Sequence, residues 1–166
     1  MRAAIHYVER YDTSTENLRK VLRRKVARRA AAAGEAPAPH EPLVEATVAR
    51  LVELGLVDDQ AYAQARLSSL RRKGASRVMT TAKLIEKGLP REIVEATLQS
   101  DETEEAEAAA SYVRRRRFGP HRSPGRGDRR EREIAAMVRA GFPLGVAVGA
   151  IDAAADPVDA SSPEEN

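Results

Sequence analysis

The sequence predicts an all-α protein, an elongated tandem array of three three-helix repeats. Three observations carry that reading. Gly34, Gly88 and Gly141 each close a basic amphipathic stretch and precede an apolar stretch that a proline helps to open, and they stand 54 and 53 residues apart. The echo reaches the side chains: Leu43-Val44-Glu45-Ala46-Thr47 returns as Ile93-Val94-Glu95-Ala96-Thr97, and Lys87-Gly88-Leu89-Pro90 as Ala140-Gly141-Phe142-Pro143. A fixed period of this size means stacked copies of one supersecondary unit. Ala, Arg, Glu and Leu dominate, which favours helix. No stretch of useful length alternates apolar and polar residues with a period of two.

The elements follow in order. Repeat one, residues 1–57, opens with a short helix near Ala4–Tyr11 and breaks at Asp12-Thr13-Ser14. Thr13 or Ser14 caps the second helix, whose apolar stripe is Leu18, Val21, Leu22 and Val26; Arg19, Arg23, Arg24 and Arg28 lie largely off it. After Gly34 and a Pro/Ala loop, a third helix starts near Pro42 and is expected to bury Leu43, Thr47, Val48, Leu51 and Leu54. Repeat two, residues 58–100, begins at the joint Gly55-Leu56-Val57-Asp58-Asp59, with Asp58 as the helix cap. Its first helix, about Asp59–Arg72, turns Tyr62, Ala65, Ser69 and Leu67 or Leu70 inward. Ser76 caps the next, which is expected to bury Val78, Ala82, Ile85 and Leu89. Pro90 opens the sixth helix, with Ile93, Val94, Thr97 and Leu98 on one side. Repeat three, residues 101–152, holds a helix with acids at its start and Arg114–Arg117 at its end, a loop over 121–127, and helices marked by Ile134, Met137 and Val138 and by Val146, Ala147, Ala150 and Ile151. Gly145 and Gly149 weaken the last of these by about 1 kcal/mol each relative to Ala. Residues 153–166 read as a disordered acidic tail.

Of 166 residues, 42% are hydrophobic and 4% aromatic, so the core rests on Leu, Val, Ile and Ala. With no Cys there is neither a disulfide framework nor a thiolate metal site or nucleophile. No apolar run approaches a membrane span, and the first residues lack a signal-peptide hydrophobic region. Residues 152–166 hold five acids and no base; setting them aside raises the net charge from +3 to +8. A basic body suggests a polyanionic partner.

Catalytic and metal signals are thin. Gly125-Arg126-Gly127 is too short for a phosphate loop and lacks a preceding strand. His6, His40 and His121 lie too far apart in sequence to suggest a ligand cluster, and Asp58-Asp59 reads as a cap plus first-turn charge rather than an acid/base pair. No catalytic residue, metal site or cofactor is expected. The positive signal is three basic clusters, in Arg19–Arg29, Arg66–Arg77 and Arg114–Arg132. Singly, each also suits a solvated surface that complements a helix dipole; together they suggest an extended track. Few Asn, Gln or aromatic residues accompany them, so the track would position a strand rather than read its bases.

The residues also resemble a known family. Arg10-Tyr11-Asp12-Thr13-Ser14-Thr15-Glu16-Asn17-Leu18-Arg19 looks like the first-unit signature of the RecX regulatory proteins, loosened by Asn17. Leu54-Gly55-Leu56-Val57-Asp58-Asp59-Gln60-Ala61-Tyr62-Ala63 is similar to the family's middle-unit core, and Arg72-Lys73-Gly74 with Leu84-Ile85-Glu86-Lys87-Gly88-Leu89 resembles its next segment. Leu56 replaces the usual aromatic, and the third unit is the most diverged. The residues carrying the resemblance are Ser14, Leu18, Gly55, Asp58, Asp59, Tyr62, Gly74, Lys87 and Gly88. What it implies is a cytoplasmic, monomeric, non-enzymatic regulator. Such a protein lies along the RecA–single-stranded DNA filament, suppresses strand exchange and ATP hydrolysis, and promotes filament loss. The expected RecA or DNA contacts are Arg19, Arg23, Arg24, Arg66, Arg71, Arg72, Lys73, Arg77, Arg114 and Arg115. An autonomous nucleic-acid-binding helical repeat protein is the alternative.

Overall fold

The computed structural model describes residues 1–123 and 129–153. Among them it is all-helical: α1 (Arg2–Val8), α2 (Thr15–Ala33), α3 (Glu41–Glu53), α4 (Asp59–Arg72), α5 (Arg77–Glu86), α6 (Arg91–Gln99), α7 (Glu105–Arg116), α8 (Arg130–Arg139) and α9 (Leu144–Asp152), with 3-10 turns at Ala38–His40 and Gly119–His121. The acidic segment from 154 on, and Gly125-Arg126-Gly127 in the expected loop, lie outside the described residues. Helix α9 forms despite its two glycines, because Ala147 and Ile151 bury into the apolar cluster beside it.

The chain packs as two compact units, residues 1–67 with 82–100, and residues 68–81 with the described residues of 101–153. In the first, Ala4, Leu18, Leu22, Val44, Val48, Leu51 and Val57 form one apolar cluster, and Ala63, Leu84, Leu89 and Val94 a second. In the other, Ala109, Tyr112, Val113, Ile134, Met137, Phe142 and Ile151 pack together, with the Tyr112 and Phe142 rings edge to face at 5.3 Å. These areas, removed from water at about 25 cal/mol per Å², hold the helices in place.

Several inward faces differ from the sequence expectation. On α3 the buried row is Val44, Thr47, Val48 and Leu51, while Leu43 is 63% exposed and Leu54 lies past the helix end in solvent. On α4 it is Ala63, Leu67, Leu70 and Arg71; Ala65 is exposed. On α5 the inward residues are Thr80 and Leu84, whereas Val78 and Ile85 are 64% and 46% exposed and Ala82 also faces water. That helix carries two stripes at helical spacing, and the cap at Ser76 fixes which one turns in.

Each unit contains the same joint, built from the start of one helix and the glycine turn of another. In the first unit Ser14 Oγ accepts the Asn17 N–H at 3.2 Å, capping α2, and donates to the Lys87 carbonyl. The first helical N–H, on Thr15, goes to Asp59 Oδ1 at 2.7 Å. In the second unit Ser76 Oγ accepts the Met79 N–H at 3.1 Å, capping α5, and donates to the Ala140 carbonyl at 2.6 Å. There the Arg77 N–H goes to Glu105 Oε1 at 3.1 Å. The approach is close enough to demand glycine. A Cβ on Gly88 would stand 2.8 Å from the Glu16 side chain, and one on Gly141 2.7 Å from Ser76 Oγ; both residues also have positive φ. Gly88 and Gly141 each follow a helix of 10 residues. Gly34 closes one of 19, with nothing within 4 Å of a built Cβ, so it is not their structural equivalent.

Candidate interaction surface

In the structure some of the sequence-predicted cations are paired with carboxylates and others are exposed, unit by unit. In the first unit, Arg19 and Arg23 sit on the flank of α2 that faces α3. Arg19 pairs with Glu16 and, through Nε at 2.9 Å, with Glu45. Burial opposes its charge, but the hydrogen bonds to Glu16 and Glu45 outweigh this and hold the guanidinium above the ordinary arginine range. Arg23 meets Glu41 at 2.5 Å and Glu45 at 3.1 Å. Arg24 and, one turn on, Arg28 point outward with no carboxylate partner among the described residues. Arg66 is half-buried, with its Nε enclosed and unpartnered, beside Tyr62, whose hydroxyl burial pushes above the usual tyrosine range.

In the second unit Arg71 departs most from expectation. It is 1% exposed, so it is not available to a partner. Its Nε lies 2.8 Å from Asp101 Oδ2, an ionic contact whose geometry falls short of a hydrogen bond, and its Nη1 lies 2.8 Å from Glu105. The same guanidinium donates to the Ala75 and Thr103 carbonyls, each at 2.8 Å. Arg71 therefore pins the end of α4 to the start of α7. Arg72 and Lys73, its chain neighbours, are exposed. Arg77 is partly engaged, 3.8 Å from Asp101. Arg114 and Arg115 lie on the exposed end of α7, and Arg116 covers the Tyr112 ring at 5.6 Å.

The residues that carry the family resemblance have structural duties. Ser14, Asp59, Lys87 and Gly88 build the first joint, and Leu18 is core. Asp58 caps α4, accepting the Gln60 and Ala61 N–H groups at 2.8 and 3.0 Å. Gly55 and Gly74 take left-handed φ after α3 and α4. Sequence reasoning missed Glu133, which is buried and accepts from Gly119 N at 2.8 Å and from Arg122 at 2.8 Å. Burial opposes its ionisation, yet the Arg122 and Gly119 hydrogen bonds bring its carboxyl below the usual range. The signal was present as an acid in the first turn of a charged helix start, but sequence could not show the turn it closes on.

An apolar depression of about 450 Å³ between α7 and α9 is lined by Ala110, Val113, Val146 and Ala150, with Arg114 and His121 the ionisable lining groups among the described residues. Among the described residues no group of three His, Asp or Glu could hold a metal ion, and no helix is long and apolar enough to cross a membrane.

Repeated three-helix units, joined by a serine-to-glycine-turn contact and bearing unneutralised cations, define a helical repeat protein with a basic surface. Similarity to known proteins gives the particular family. Residues 58–98, the span of α4–α6, match the model of RecX, second three-helix domain. The chain is 41% identical over 154 residues to the Regulatory protein RecX of Myxococcus xanthus, covering 90% of this chain and 82% of that one. It is 38% identical over 132 residues to a Regulatory protein RecX of Thermus thermophilus (80% and 78% covered) and 32% over 141 residues to that of Agrobacterium fabrum (84% and 74%). The chain belongs to the RecX family of regulatory proteins. No solved structure matches it significantly.

Proposed function

We propose that this protein regulates RecA by binding the RecA–single-stranded DNA filament in the cytoplasm as a monomer, restraining strand exchange and ATP hydrolysis and promoting filament disassembly. It does so as a binder, without a reaction of its own: an interaction that favours one filament state shifts the balance of extension and loss by its differential affinity alone. Family membership carries this reading, and the surface supports it, since Arg24, Arg72, Lys73 and Arg115 are exposed. Arg71 drops out of the contact set, and Arg19 and Arg23 contribute only what their glutamates leave. The three basic clusters would bridge neighbouring protomers or the DNA backbone.

The deciding experiment compares binding to RecA-coated and bare single-stranded DNA at physiological salt, alongside RecA's ATP turnover. Tighter binding to the coated strand with reduced turnover supports the proposal. Equal or weaker binding to it replaces the proposal with an autonomous nucleic-acid binder.

A further inference from the structure

We infer that the outer face of α2, along Lys20, Arg24 and Arg28, binds the phosphodiester backbone of single-stranded DNA. The inference deepens the nucleic-acid side of the reading above by assigning it to one helix face.

Helix α2 has 19 residues against 10 in α5 and in α8. Its extra turns, residues 27–33, are exposed at every position except Ala30. The fold gains little burial from that extension; the helix propensity of Ala and Arg sustains it, and it carries Arg28 and Arg29 out into solvent.

Lys20, Arg24 and Arg28 recur at four-residue steps, so they line up along one face, rising about 6 Å per step. Like charges at this spacing repel and weaken a helix. Only Lys20 has an acid in range, Glu16 at 3.9 Å; Arg24 and Arg28 have none among the described residues. Glu41 and Glu45 instead pair with Arg19 and Arg23 at the α3 flank, and Glu16 divides between Arg19 and Lys20. The helix thus sets a neutralised pair, Arg19 and Arg23, apart from the row of Lys20, Arg24 and Arg28; of its two other bases, Lys25 lies over the Tyr7 ring at 5.9 Å and Arg29 is exposed.

That row fits a phosphate backbone rather than bases. The exposed residues of α2 are Lys, Arg and Ala, so the helix itself offers no exposed amide to read a base edge and no ring to stack on. It also fits one strand rather than two. A helix seated in a duplex groove meets phosphates on both flanks, and the other flank of α2 is packed against α3 and its glutamates.

The test uses the full chain and a fluorescent oligo(dT) without RecA, with binding titrated at several NaCl concentrations. For K20Q/R24Q/R28Q, the slope of log affinity against log salt should flatten by about 2, as expected for three lost contacts to a single strand. Melting temperature should hold or rise, because repulsion along the helix is relieved. R2Q/R10Q/R91Q, with the same loss of charge at exposed sites of the same unit, should keep the wild-type slope. Equal flattening in both variants means net charge alone, and overturns the assignment. A loss confined to duplex DNA overturns it in favour of a groove. An unchanged oligo(dT) slope with lost RecA inhibition overturns it in favour of an acidic protein surface, while leaving RecA regulation standing.

Discussion

Replacing Arg71 by alanine separates a structural cation from a contact residue. In the folded chain its guanidinium serves two carboxylates and two backbone carbonyls, and the Asp101 side chain beneath it is 3% exposed. Removing one member of a buried ion pair costs about 3–5 kcal/mol, because the remaining charge keeps its desolvation cost without its attraction. Glu105 is freer, and its Oε1 keeps the Arg77 N–H, so Asp101 bears most of the loss. Arg71→Ala should therefore lower unfolding free energy by about 3 kcal/mol in urea titrations followed by far-UV circular dichroism. The double variant R72A/K73A, on exposed neighbours, should stay within about 0.5 kcal/mol of wild type. Combining Arg71→Met with Asp101→Asn and Glu105→Gln should recover most of the loss, since the uncompensated charge goes with the cation. If Arg71→Ala unfolds like R72A/K73A, the buried cluster contributes nothing and the reasoning fails.

Four further outcomes follow from the same geometry. Leu84→Ala, at a residue with no exposed surface, should cost about 2–5 kcal/mol, whereas Ile85→Ala beside it should cost under about 1 kcal/mol in the same titration. Ser76→Ala removes a helix cap and the bond to the Ala140 carbonyl and should cost about 1–2 kcal/mol. Arg117 ends α7 at a φ of 56°, so Arg117→Gly should stabilise the protein by about 1 kcal/mol, seen as a higher melting temperature. The Glu133 carboxyl is held below its ordinary 4.5 when folded; the stability it contributes is complete above that value and is lost as pH falls through the folded one. A urea midpoint measured from neutral pH into the acid range should fall less steeply for Glu133→Gln than for wild type.

Much of this was legible in the residues. Helix starts at Ser14, Asp58 and Ser76 announced themselves by cap chemistry, and glycines after α3, α4 and α5 by their place past each last turn. The choice of inward face was less legible. On α5, Val78, Ala82 and Ile85 make a cleaner apolar stripe than Thr80 and Leu84, yet the second pair is buried. Periodicity finds stripes but does not rank two on one helix when a distant contact orients it. Arg71 shows the same limit for charge: neighbouring bases read alike until Asp101 and Glu105, far along the chain, claim one of them. The 54-residue step from Gly34 to Gly88 misled for a related reason, since equal spacing in sequence hid a helix of unequal length.

The recurring serine lock has a bearing on how such chains change in size. Ser14 and Ser76 present the same hydroxyl and the same leading amide, and Lys87-Gly88 and Ala140-Gly141 answer with the same carbonyl and bare turn. Plug and socket are interchangeable in kind, so a whole triplet can be gained or excised by recombination without inventing a new seam.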